Sequence, residues 1–181
     1  MIWRFLAICL VAAIASTGPA AAFTVPGLGL TIDLPEEQFV VRGKEPPAGV
    51  DMAYTILAGP ETPSLEAEFY CQVNFTFFQP NNKFSQQELN VVAEPIMDQL
   101  AGEFSQVFAV QTMEVFTHRG VKGHQTIVGP LGRDVLRVRM ALLTMDTPPG
   151  RTAISCAGPT EKLETLVELA NAILDGVTPP P

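Results

Sequence analysis

Histidine, cysteine, tyrosine and tryptophan are all scarce in this chain of 181 residues, which holds two, three, two and one of them. Four closely spaced Cys or His ligands, the signature of a structural zinc site, are therefore missing, and neither C-x-x-C nor H-E-x-x-H occurs. There is also no G-x-S-x-G elbow and no phosphate loop. Gly27-Leu28-Gly29 lacks the third glycine of a dinucleotide fingerprint and sits inside a strand-like pattern. Basic residues are few: 11 Lys and Arg stand against 19 Asp and Glu, for a formal charge of −8. Nucleic acid and anionic membrane surfaces both reward a basic face, so neither is an expected partner.

What the chain does have is apolar residues, at 47%, and proline, at 16 residues. Its beginning, MIWRFLAICLVAAIASTGPAAAF, carries one early cation, Arg4, and an apolar run from Phe5 to about Ala15. Ala20-Ala21-Ala22 then offers an A-x-A cleavage site before Phe23, the pattern of a secretory signal peptide. The run is short of the roughly 20 residues that a membrane-spanning helix needs, and no basic cluster follows it. Cys9 does not make a lipobox, because Ile8 stands where a small residue belongs. Residues 1–22 are read as a cleaved signal, 23–178 as one domain and 179–181 as a disordered tail. Losing Arg4 takes the charge of the mature chain from −8 to −9. Its localisation is then periplasmic or secreted, with no stable membrane insertion.

Two cysteines survive cleavage, Cys71 and Cys156, in a compartment where disulfides persist. Ala67, Phe69, Cys71, Val73, Phe75 and Phe77 alternate with polar residues, which makes a half-buried strand with Cys71 facing in. Ile154 and Cys156 share one face of RTAISCA. Two inward cysteines on two strands favour a Cys71–Cys156 bridge. The competing reading, a reactive Cys71 with a histidine partner, needs an exposed electropositive pocket, which an apolar strand face does not supply.

Along the chain, Leu28 to Leu34, Phe39 to Arg42 and Met52 to Ala58 read as strands before the cysteine strand. Ser85-Gln86-Gln87-Glu88 is a capping box. Leu89, Val92, Ile96, Leu100 and Phe104 follow at helical spacing, with Pro95 predicting a kink or two short helices. Strands are expected over 107–117 and 121–128. In the next one Leu136, Val138, Met140 and Leu142 are expected to face in, with Arg137 and Arg139 facing out toward Glu66 and Glu68. The cysteine strand at Cys156 leads into a last helix with Leu163, Leu166, Val167, Ala170, Ile173 and Leu174 as its core stripe and Gly176 as its stop. Asn74-Phe75-Thr76 matches a glycosylation sequon but lies within a strand. Consecutive hairpins imply an antiparallel sheet: an α+β domain with a single curved sheet and two amphipathic helices packed on it.

The one compact group of cations and imidazoles is His118-Arg119-Gly120-Val121-Lys122-Gly123-His124. Its plain reading is an exposed polar hairpin turn that tolerates loss of both histidines. Its functional reading is an anion-binding or partner patch of His118, Arg119, Lys122 and His124. Two histidines are too few for a closed zinc site. The loop Gln79 to Ser85 reads as helix capping first and partner contact second.

The order of elements, ending in a helix after Cys156-Ala157-Gly158-Pro159, resembles the PsbP/Mog1-like fold. Cys71-Gln72-Val73 with Phe75, the Pro80/Asn82 loop, Ser85-Gln86 with Leu89-Asn90, and Thr147-Pro148 with Gly150-Arg151-Thr152 are similar to a group of small exported bacterial proteins of unknown function. The resemblance spans residues 65–178 and implies an accessory or partner-binding module rather than an enzyme. No catalytic residue, metal or cofactor is assigned, and the expected partner is another envelope or periplasmic protein. The alternative is a small-ligand or metal-binding module, or a hydrolase with a pocket between sheet and helices. The exported protein is expected to begin near Phe23; an intact mass that retains residues 1–22 would refute cleavage.

Overall fold

The computed structural model describes residues 22–62, 68–79, 83–132 and 137–181. Seven strands form the main sheet: β3 (Phe39–Lys44), β4 (Met52–Ala58), β5 (Tyr70–Phe77), β6 (Phe108–His118), β7 (Val121–Pro130), β8 (Val138–Thr147) and β9 (Gly150–Pro159). Their spatial order is β3-β4-β5-β9-β8-β7-β6, with every neighbouring pair antiparallel. Cys71 and Cys156 lie directly opposite in the central β5–β9 ladder, Cα atoms 4.1 Å apart, and are disulfide-bonded. Both are buried among Val73, Phe75 and Ile154, as the alternation of the cysteine strand requires.

The expected single sheet with two helices needs correction, because the described residues hold two sheets and three α-helices. The second sheet joins β1 (Phe23–Thr24), β2 (Thr31–Ile32) and β10 (Val177–Thr178) in the order β1-β2-β10. Pro35 ends the N-terminal strand before it can extend toward the main sheet, and β2 pairs instead with the chain leaving the last helix. Pro179 and Pro180 are buried, so the disordered tail read from the sequence is packed. The third helix arises at Pro95, which separates α1 (Gln86–Val92) from α2 (Met97–Phe104). Ser85 caps α1, accepting from the Glu88 amide while the Glu88 carboxylate accepts from the Ser85 amide.

A 3-10 turn at Thr160–Lys162 opens the terminal helix α3 (Leu163–Gly176), which packs on β8 and β9 through Leu166, Ala170 and Ile173. Gly176 does end the helix, though not through a left-handed backbone. A Cβ there would lie 2.4 Å from the Asp33 carbonyl oxygen, so glycine is needed for the close approach of the chain just after β2.

Register places α3 on one face of the main sheet and the α1–α2 pair on the other, over β6, β7 and β8. This overturns the expected orientation of β8. Ala141, Leu143 and Met145 face α3 and are buried, whereas Met140 and Leu142 face the other side and Val138 is 44% exposed. The half-buried face also carries large apolar residues, Met140 and Leu142, so the apolar pattern of the strand does not reveal which parity faces the core. Leu136 lies outside the described residues. The expected Glu–Arg ladder is also not what Glu68 makes, since its carboxylate pairs with Lys162, while Arg139 donates to Thr160 Oγ1; Glu66 lies outside the described residues.

Removing the bridge by Cys71→Ser with Cys156→Ser should lower stability by about 4 kcal/mol, since an 85-residue separation is closed. Thiol titration of the folded, unreduced protein should find no free thiol in residues 23–181, and two would refute the bridge.

Candidate functional site

The His118–His124 cluster is a two-residue hairpin turn. Arg119 and Gly120 sit at its tip with φ of 50° and 81°, as a tight turn matched to the twist of β6 and β7 requires. His118 pairs with Val121 across the turn, so His124, three residues further along β7, points to the opposite face. The two imidazoles therefore do not converge, and the cluster is not one patch.

On the α3 face, three successive carbonyls at the end of that helix find donors. Arg119 Nη2 donates to the Asp175 oxygen at 3.2 Å, the Asp33 amide to Gly176 at 2.8 Å, and His118 Nε2 to Val177 at 2.8 Å. On the other face, His124 Nε2 donates to the oxygen of Ala93, the C-cap of α1, at 2.6 Å. A carbonyl only accepts, so each imidazole carries its proton on Nε2. Asn90 of α1 completes the grip, donating to the Gly120 oxygen and accepting from the Lys122 amide. Lys122 Nζ reaches Glu94 at 2.6 Å and holds that carboxyl below its usual range. The expected exposed turn is therefore corrected: His124 is only 7% exposed, and the side chains close helix ends whose carbonyls lack partners within the helix. Of the Gln79–Ser85 loop, residues 80–82 lie outside the described residues, and Ser85 is the helix cap.

A second group, not assembled from the sequence, lies on the main-sheet face opposite α3. The register of β3, β4 and β5 aligns Arg42 and Lys44 with Thr55 and with Tyr70 and Gln72. Lys44 Nζ donates to the Tyr70 hydroxyl at 2.9 Å and to Gln72 Oε1 at 3.2 Å, and sits 5.6 Å from the tyrosine ring centroid. The Lys44 hydrogen bond holds the Tyr70 hydroxyl below the usual phenol range, against a smaller opposite effect of burial. Tyr70 is nonetheless 49% exposed. The available signal was the outward alternation of Val40, Arg42 and Lys44 on β3, and of Tyr70 and Gln72 on β5.

Among the described residues, no three His, Cys, Asp or Glu side chains are placed to hold a metal ion, and no helix is long and apolar enough to cross a membrane. Between the sheet and α3, the void lined by Phe39, Ile56, Phe69, Cys71, Leu169 and Ile173 has a volume of about 10 Å³, room for no more than one water.

No protein-family model and no curated protein matches the chain. Solved structures do. Cyanobacterial PsbP (CyanoP) from Synechocystis sp. PCC 6803 superimposes with a TM-score of 0.57 at 10% identity, over 93% of this chain and 98% of that one. PA94 from Pseudomonas aeruginosa, described as a putative regulator, gives 0.46 at 10% identity over 91% and 99%. LpqN of Mycobacterium tuberculosis, described as involved in cell envelope biogenesis, gives 0.45 at 11% identity over 92% and 88%. The chain has a PsbP-like fold, as its sequence pattern indicates, and at these identities the likeness is one of fold alone.

His118→Ala and His124→Ala should each lower stability by about 1–3 kcal/mol, the cost of a carbonyl left without its donor. Because the two share no partner, the double variant should lose the sum within about 0.5 kcal/mol. Urea unfolding measures this, and a double variant as stable as the parent would restore the exposed-turn reading.

Proposed function

We propose that this chain is an exported, non-enzymatic accessory domain of the cell envelope that works by binding another protein through the β3–β5 face of its sheet. The observation that carries the reading is Tyr70, half exposed yet held at its hydroxyl by Lys44. Aromatic and arginine side chains contribute most of the energy at protein interfaces, and a pre-positioned tyrosine loses little freedom on binding. Arg42 stands one position away on the same strand face as Lys44, and no hydrogen bond or ion pair among the described residues engages its guanidinium. Export is supported by the N-terminal pattern and by the buried disulfide, which suits an oxidising compartment.

The test is site-specific photocrosslinking in the producing cell, with a benzophenone side chain at position 70 and, as control, at the exposed Val91 of α1. A discrete protein adduct from position 70 and none from position 91 is expected. No adduct at 70, or the same adducts from both positions, would overturn the assignment of this face.

A further inference from the structure

Strand β3 closes one side of the main sheet, and no described strand pairs with its far edge. Its two faces differ sharply in chemistry. Phe39 and Val41 point to the α3 side, and Val40, Arg42 and Lys44 to the other. On the α3 side the edge overlooks an open groove of about 530 Å³, lined mainly by apolar residues, among them Phe23, Ile32, Leu34, Phe39 and Val41, and by one carboxylate, Glu36; Val40 meets it at the strand edge. A strand added beside β3 would send alternate side chains to each face: one set into this apolar groove, the other beside Arg42 and Lys44.

We propose that β3 accepts an extended segment of a partner protein as an eighth strand, with apolar residues alternating with acidic ones. This rests on the partner-binding reading and names the chemistry of the partner. Charge selects the occupant. Two adjacent cations on one edge-strand face complement carboxylates, and they oppose a second copy of β3, whose Arg42 and Lys44 would meet like charges. Backbone pairing supplies attachment, and alternation supplies specificity, because a slip of one residue would put carboxylates into the groove.

Charged residues on an edge strand can also serve only to keep other strands away, and the experiment separates the two roles. The probes are three capped nine-residue peptides alternating glutamate with valine, lysine with valine, and glutamate with serine, added to the purified exported protein. Hydrogen exchange of the residue 40–44 amides is followed. The glutamate–valine peptide should slow exchange there at least tenfold and bind at least tenfold more tightly than the other two. Arg42→Glu with Lys44→Glu, both exposed positions, should keep the parent melting temperature and reverse the preference toward lysine–valine. Equal protection by both valine peptides would mean that the charges only guard the edge. Protection elsewhere, or dimerisation that protects β3 without any peptide, would equally overturn the proposal. An adduct at position 70 with β3 unprotected by the glutamate–valine peptide sinks the edge strand and leaves the partner-binding face standing. Protection of β3 with no adduct at 70 does the reverse.

Discussion

Two helix ends depend on one hairpin. The last carbonyls of an α-helix have no partners within it, and in a packed domain they must find donors elsewhere. The Arg119–Gly120 turn holds β6 and β7 so that His118 and Arg119 reach the end of α3, while His124 and the Lys122 amide engage α1 across the sheet. The device joins three layers, because the helices lie on opposite faces and the hairpin belongs to the sheet between them. The Arg119 cation also sits where the negative end of the α3 dipole favours it. The same helix end anchors the small sheet, since Gly176 accepts from Asp33 and β10 follows at once. The termini of the domain are thus gathered at the point the hairpin reaches.

The disulfide acts in the middle of the sheet, and differently. Cys71 and Cys156 are already partners in the β5–β9 ladder, so the bond adds no new topology. On the chain-entropy account it acts on the unfolded chain, by closing a long loop across the midpoint of the strand order. The hairpin contacts are a folded-state matter: the Ala93 carbonyl is a buried acceptor satisfied by His124, while the Val177 carbonyl is reached in a part-buried setting and that of Asp175 at the surface.

How much of this was legible in the sequence depends on how many faces of each element are covered. The cysteine strand alternates cleanly because one face meets the core and the other is half open, so its inward residues were identifiable as far as Phe75. Pro95 and the Ser85–Glu88 box are local chemistry, and they mark the α1 boundaries without any tertiary information. β7 carries helices on both sides, and buried residues on both faces erase its period of two: His124, Thr126 and Val128 are buried on one side, Val121 and Ile127 on the other. β8 buries one face only, but Met140 and Leu142 on its other face are as apolar as the residues that are buried. The opposite orientation of the two histidines follows from the turn, once its length is known. The carbonyls they meet do not, because Ala93 and Val177 are 31 and 59 residues away in sequence. The Lys44–Tyr70 contact is equally invisible, since it rests on the register of three strands joined by long connections.

The second sheet face is covered in one part and open in another. Over β6, β7 and β8 the α1–α2 pair covers that face, where His124, Thr126 and Val128 of β7 are buried and the neighbours on β8 are mostly half-buried. Over β3, β4 and β5 the same face carries Arg42, Lys44 and Tyr70, which are exposed, with Thr55 and Gln72 half buried between them. A face that only needed solubility would be served by mobile charges of either sign. Here, on a chain with a formal charge of −8, two cations share one strand edge, and one of them fixes an exposed tyrosine through its hydroxyl. Fixing that ring gives up side-chain freedom without burying it, so the fold itself gains little from the arrangement. The compensating gain is available when a second surface covers the ring, because its ordering has then been met in advance.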